Sequence, residues 1–216
     1  YYPFFRAMEL YRRRYLLHAS GIDISGNGVV FCGMEGIGKT SLVLSLLGPK
    51  VRFLSDNLLF YDSERISPCY ETVRVHDDGK QYPWHEHFDR LAGFKTCKDF
   101  YVPRLSVAET GEPVPRVLVF PQFGAEYAVQ ELDAASAARR AINLSYSASE
   151  LAQYAQYRRF YNILDAGHVP EVAELETLSR LLSGVRSFVI TMPKKDGLPA
   201  NVKRVRAHLQ SLGLSL

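Results

Sequence analysis

Cysteine is scarce: the 216 residues include Cys32, Cys69 and Cys97 only, widely spaced and without a C-x-x-C pair. That excludes a disulfide framework or a zinc ribbon, predicts each thiol as a small buried hydrophobe, and fits a reducing, cytoplasmic setting. An excess of charge is also missing. The net charge of +3 is small and the basic residues are dispersed, so no nucleic-acid partner is expected. No apolar run approaches the length needed to cross a membrane, and residues 1–13 are too charged for a secretion signal, so no membrane association is expected. Repeats and low-complexity tracts are absent. The chain opens on Tyr1 and not on Met, which predicts a piece excised from a longer protein. What remains is ordinary globular composition, 47% hydrophobic and 23% charged, sized for a single domain over 1–216.

Against that background one motif stands out. Gly33 to Thr40 read G-M-E-G-I-G-K-T, the full phosphate-binding pattern G-x-x-x-x-G-K-[ST]. Val29 to Cys32 before it is short, apolar and β-branched, as a buried strand should be. Ser41 to Leu47 after it is Leu-rich and uninterrupted until Gly48-Pro49, as a helix should be. Strand, glycine loop and helix supply the mechanism: backbone N–H groups turned inward toward phosphate oxygens, reinforced by the helix N-terminus. Gly33, Glu35, Gly36, Ile37, Gly38, Lys39, Thr40 and Ser41 are therefore the expected nucleotide-binding residues. Lys39 would reach the β- and γ-phosphates and the Thr40 hydroxyl would ligate Mg²⁺, so ATP and Mg²⁺ are the expected cofactors.

The rest of the chain alternates helix and strand. Helices are predicted over Phe4 to Arg14, from an Asp133 cap through Ile142, over Ala148 to Leu164, over Pro170 to Leu182, and from about Ala200 to Leu212. Strands are predicted at Tyr15 to His18, Ile22 to Ile24, Val51 to Leu54, Leu58 to Tyr61, Val117 to Phe120, Tyr127 to Gln130 and Ser187 to Thr191, with a tight turn at Gly26-Asn27-Gly28. Residues 66–112 read as irregular because Pro68, Gly79, Pro83, Gly93, Pro103 and Gly111 interrupt them. Strands interleaved with helices make an α/β layer fold, and the clustered short strands suggest a mixed sheet.

Two further constellations read more plainly. His85-Glu86-His87 beside Trp84 lacks a third metal ligand and reads as a polar loop with aromatic anchors, one that could line the acceptor site. Tyr154, Tyr157, Arg158, Arg159 and Tyr161 along one helix read as a solvated basic face, with recognition of an acidic or phosphorylated partner, or an arginine offered to the transition state, as the alternative.

Leu16 to Gly21, then Ile24 to Val30, then the glycine loop, resemble the catalytic domain of HPr kinase/phosphorylase, and more nearly its short relatives lacking the N-terminal domain. The resemblance is densest over residues 14–60. It implies a P-loop core akin to phosphoenolpyruvate carboxykinase, with a histidine ahead of the loop and a catalytic aspartate ending the next core strand. Those places are taken here by His18 and Asp56.

The chemistry asks for the same groups. Phosphoryl transfer needs somewhere for the acceptor's proton, and Asp56, ending a strand beside the loop, could supply it; His18 could hydrogen-bond Asp56 and orient it. The family assigns the aspartate this general-base role, while a metal ligand for Asp56 and an edge-of-core histidine for His18 are the plainer alternatives. Lys39, Asp56 and His18 are thus the catalytic candidates, and Thr40 and Asp56 the metal candidates.

Two departures from the family stand out. Asn57 replaces a second aspartate, and Pro121-Gln122-Phe123-Gly124 stands where the bifunctional enzymes carry an arginine, so the expectation is transfer without phosphorolysis. Glu71 and Glu86 are the nearest candidates for the family's metal-binding glutamate. The resulting expectation is an ATP- and Mg²⁺-dependent kinase. Its acceptor would be a Ser or Thr hydroxyl of a small protein or precursor peptide, or else a small alcohol. The family's hexamers leave a homo-oligomer open, and a nucleotide-binding regulatory domain without turnover is the rival.

Overall fold

The computed structural model describes residues 1–76, 82–91, 98–105, 108, 111–164 and 170–216. In chain order the first half holds α1 (Tyr2–Arg12), β1 (Tyr15–Leu17), β2 (Ala19–Ile24), β3 (Asn27–Cys32), α2 (Lys39–Leu46), β4 (Val51–Ser55), β5 (Leu59–Tyr61), β6 (Ile66–Pro68), β7 (Val73–His76), β8 (Phe88–Leu91) and β9 (Lys98–Pro103). The second half holds β10 (Val114–Gly124), β11 (Ala128–Leu132), α3 (Ala134–Tyr146), α4 (Ser149–Leu164), α5 (Pro170–Leu181), β12 (Arg186–Pro193) and α6 (Gly197–Ser211). This is a mixed α/β protein, with six α-helices among the described residues, none of them long and apolar enough to cross a membrane.

A six-stranded mixed sheet in the order β11-β12-β10-β3-β2-β4 forms the centre. β10 runs parallel to both β12 and β3, whereas β2 is antiparallel to β3 and to β4. One face packs on α2 and α6 through Leu42, Leu46, Val205 and Leu209; the other packs on α3 and α5 through Ala137, Ala141, Leu178 and Leu181. The alanines of α3 let that helix lie close to Val30, Cys32 and Phe120. A second sheet, β1-β5-β6, pairs Tyr15 with Tyr61 and Leu17 with Leu59.

Four expectations need correction. The stretch 66–112 is not irregular throughout: β7, β9 and β8 form an antiparallel sheet that closes over α2. Prolines bound its elements instead of breaking them, Pro83 opening a 3-10 turn (Pro83–His87) and Pro103 ending β9. Cross-strand pairs Arg90–Asp99 (2.6 Å) and Arg104–Asp89 (2.9 Å) stitch that sheet at its surface. Gly79, Gly93 and Cys97 lie outside the described residues. The β2–β3 turn is Ser25-Gly26, both with positive φ (53° and 87°), the backbone of a two-residue hairpin; Asn27 and Gly28 already belong to β3. β10 does not stop at Phe120. Pairing with β3 ends at Val119 while pairing with β12 continues to Gly124, so the missing N–H of Pro121 leaves no gap in a two-sided ladder.

The last correction concerns α4. Leu151, Tyr154 and Arg158 fall on one stripe and are buried, so the solvated face is limited to Arg159 and Tyr161, with Tyr157 half-buried. Arg158 donates through Nη1 to Glu174 (3.0 Å) and Glu9 (3.2 Å), and through Nη2 to the Tyr146 hydroxyl (2.7 Å). Tyr154 donates to Glu9 (2.7 Å) and Tyr146 to Glu174 (2.6 Å), tying α1, α3, α4 and α5 together. The Asp133 cap is present, its carboxylate accepting from the Ser136 backbone N–H at 2.8 Å.

Candidate active site

Strand direction assembles the site. β3, β4, β10 and β12 point the same way and end at one edge of the main sheet, and β2, running opposite, begins there. Ala19 pairs with Cys32 and Gly21 with Ser55, so His18 lies beside the loop that follows β3, and Ser20 lies beside Asp56, which follows β4.

The loop joins β3 to α2 directly. Gly36 (φ 78°) and Gly38 (φ 92°) adopt left-handed backbone, which curls the chain in a way that side chains resist. Lys39 is buried, and its ammonium donates to the carbonyls of Gly33 (2.8 Å) and Met34 (3.2 Å) across the loop. Burial holds its pKa below the ordinary lysine value, opposed by the carboxylates of Asp56, Glu35 and Glu150.

Asp56 is also buried. Its Oδ1 accepts from the Ser20 hydroxyl (2.5 Å) and the Thr40 hydroxyl (2.8 Å), and its Oδ2 lies 3.0 Å from Thr40 Oγ1. Asn57 sits at φ 73°, a left-handed conformation that asparagine tolerates better than most residues, and donates to Glu71 at 2.9 Å. Arg74 stands between Glu71 (3.9 Å) and Glu150 (3.8 Å).

His18 does not hydrogen-bond Asp56 as expected; among the described residues, the hydroxyls of Ser20 and Thr40 occupy that carboxylate. The His18 backbone N–H donates to Ser145 Oγ (3.0 Å), which anchors it to α3, and its buried Nδ1 has no hydrogen-bond partner among the described residues. Burial pushes its pKa down to about 4, helped by the Lys39 charge and opposed by Glu150 and a hydrogen bond to Asn57. The imidazole is therefore neutral at pH 7.

A cavity of about 410 Å³ opens at this edge. Of the loop residues expected to bind nucleotide, Glu35, Gly36, Gly38, Lys39, Thr40 and Ser41 line it, together with His18 and Asp56. Gly33 and Ile37 do not line it; they pack on each other, the Ile37 side chain lying where a Cβ on Gly33 would meet it at 3.0 Å. Arg74, Tyr82, Trp84, Glu150 and Leu198 are among its other wall residues, and Ser20 supports it from behind. No spacing pattern marked Ser20, Arg74, Tyr82, Glu150 or Leu198, which are scattered along the chain, whereas Trp84 belongs to the aromatic-anchored segment singled out in the sequence.

Of the two glutamates considered for a metal, Glu71 adjoins the site through Asn57, whereas Glu86 is on the surface beside His87. His85 Nδ1 accepts from the Tyr82 backbone N–H (2.9 Å), so it serves as a turn cap, and Trp84 and Phe88 anchor that segment in the core. Among the described residues no group of three or more His, Cys, Asp or Glu is arranged to hold a metal ion. Cys32 and Cys69 are free and buried, and burial pushes both thiols up to about 12. Gln122, in the tetrapeptide that replaces the expected arginine, accepts from Arg140 of α3 at 3.1 Å.

No protein-family model matches the chain, and no curated protein matches it in sequence. Among solved structures it is similar to the HPr(Ser) kinase/phosphatase from Coxiella burnetii, at 10% identity over 92% of this chain and 98% of that one, with a TM-score of 0.38. A superposition that loose carries no weight for fold or function.

Proposed function

We propose that the chain is an ATP- and Mg²⁺-dependent kinase that transfers the γ-phosphate to a hydroxyl, foremost a serine or threonine of a small protein or peptide, with a small alcohol as the alternative acceptor. The observation that carries this reading is the meeting of Thr40, Asp56 and Ser20 at the mouth of the glycine loop. A phosphate loop alone marks binding; a buried carboxylate at its mouth adds a group that transfer needs.

The donor set suits the metal. Thr40 and Asp56 are hard oxygen donors in contact, the kind of pair Mg²⁺ takes from a protein when phosphates and waters complete its shell. Bound there, Mg²⁺ would offset charge on the triphosphate oxygens. Lys39 would exchange its two loop carbonyls for β- and γ-phosphate oxygens. Ser20 would hold one Asp56 oxygen, leaving the other to orient the acceptor hydroxyl. As the acceptor oxygen bonds to the γ-phosphorus and the bond to the bridging oxygen breaks, Asp56 would take the hydroxyl proton. His18, neutral at pH 7, would shape the acceptor side without adding charge.

The Thr40–Asp56 contact also favours a second reading, in which Asp56 serves the metal alone and the chain binds nucleotide without turnover. Incubation with γ-labelled ATP and a panel of serine and threonine peptides, lysate proteins and small alcohols separates the two. Lys39→Ala should lose both binding and transfer. Asp56→Asn should keep Mg·ATP binding and lower kcat about 10²- to 10⁴-fold. Loss of Mg·ATP binding in Asp56→Asn would make holding the metal the main role of Asp56 and put the base elsewhere, and a parent that binds ATP but labels no acceptor would be a binding module.

A further inference from the structure

The cavity has two chemically different ends. One is polar and holds Lys39, Thr40, Asp56 and His18. The other runs along α2, where Leu44 and Ser45 lie about one helical turn beyond Ser41, and its walls are Val75, Tyr82, Trp84 and Leu198. Phosphate chemistry has no use for that apolar end.

We infer that the apolar end is the subsite for the nucleotide's base, and that it takes a purine by stacking on Tyr82 with Leu44 and Leu198 closing against it. This rests on the triphosphate reading of the loop. Direction is the first reason. With Lys39 at the β- and γ-phosphates, the α-phosphate and ribose leave toward Ser41 and the next turn of α2, which is where Leu44 and Tyr82 stand. Elimination is the second, since an acceptor must reach Asp56 and is confined to the polar end. Size agrees: about 410 Å³ is within the range of roughly 300–1,000 Å³ typical of pockets that engulf whole small molecules.

Rigidity is the third reason. The Tyr82 ring lies parallel to that of Trp84 (11°, centroids 6.2 Å apart), and Trp84 is held edge-on by Phe88 (5.7 Å) and Tyr101 (5.2 Å) in the core. A flat face fixed before the ligand arrives loses little freedom on binding. Ser45, which also lines this end, has one hydroxyl to offer a ring nitrogen.

Trp84 is the only tryptophan of the chain, so its emission reports on this end of the cavity. The experiment titrates the full chain, with Mg²⁺, against ATP and against inorganic tripolyphosphate, following heat and Trp84 fluorescence. In the parent, ATP should bind more tightly than tripolyphosphate and alone change the emission. Tyr82→Ala should weaken ATP roughly 5- to 150-fold, the range of a lost base–aromatic stack, and leave tripolyphosphate unchanged. Leu198→Ala should act in the same sense more weakly. Unchanged tripolyphosphate affinity certifies that the variants are folded at the loop. Equal affinity of the parent for both ligands, or equal weakening of both by Tyr82→Ala, overturns the base subsite while leaving the loop's role intact. Failure of the parent to bind either ligand overturns the triphosphate reading and the subsite with it.

Discussion

Replacing Arg158 by methionine should cost the protein a large share of its stability. The guanidinium is 2% exposed and faces Glu174 at 3.0 Å and Glu9 at 3.2 Å, both themselves buried. At an effective dielectric of about 20, a pair of unit charges 3 Å apart attracts by roughly 5 kcal/mol, most of which offsets the cost of taking the ions out of water. The pair as a whole is therefore worth little, but breaking it is expensive. Glu9 would keep Arg6 (3.1 Å), whereas Glu174 would be left with the Tyr146 hydroxyl and no cation among the described residues. Stranding a buried charge in this way costs about 3–5 kcal/mol, against a total of about 5–15 kcal/mol for a typical protein. In a chain of this size that lowers Tm by about 6–20 °C.

Urea unfolding of Arg158→Met and of the triple variant Arg158→Met/Glu9→Gln/Glu174→Gln tests the cause. The triple variant should recover most of the loss, because no charge is left unpaired. Acid should narrow the gap between parent and single variant. Burial already raises the Glu174 pKa, and a carboxylate with a raised folded pKa contributes stability at low pH that is lost as pH climbs through that value. A single variant within 1 kcal/mol of the parent, or a triple variant no better than the single, would refute the stranded-charge reasoning.

Two other outcomes follow from the site itself. His18 has a folded pKa of about 4 against an ordinary 6.5, so the unfolded chain binds the extra proton between those values. Its contribution of up to about 3 kcal/mol is complete above pH 6.5 and is lost as pH falls toward 4. Urea midpoints between pH 7.5 and 4.5 should therefore drop more steeply for the parent than for His18→Gln, and parallel curves would remove His18 as the cause. Thr40→Ala should raise the Mg²⁺ concentration needed for half-maximal ATP binding, because the hydroxyl against Asp56 is lost; an unchanged Mg²⁺ titration would count against a metal at that pair.

The glycine loop, its two flanks and the strand end carrying Asp56 were legible because phosphate chemistry demands a fixed spacing and a buried strand demands apolar residues. The other walls were not. Tyr82 and Trp84 lie between β7 and β8 of a sheet whose strands are short and separated by turn residues, and only the pairing of those strands with β9 reveals the sheet as structure. Arg158 looked like surface because arginine usually is; its burial depends on Glu9, 149 residues away in sequence, and no local pattern reports a partner that distant. The His18–Asp56 bond failed for a related reason. Ser20 alternates onto the same edge from β2 and reaches the carboxylate first, which is a matter of register and not of residue type.

The opposed directions of β2 and β3 mean that His18, Ser20, Lys39, Thr40 and Asp56 all come from one continuous stretch of fewer than forty residues around a single hairpin and loop. The surfaces that would choose a ligand, Tyr82, Glu150 and Leu198, arrive on three unrelated segments. On the kinase reading, reaction and recognition would be carried by different parts of the chain. Descendants could exchange the recognising segments, and with them the ligand they select, while the hairpin and loop passed on unaltered. Resemblance among such proteins should then fade first at residues 66–112 and at the start of α4, and last around the loop.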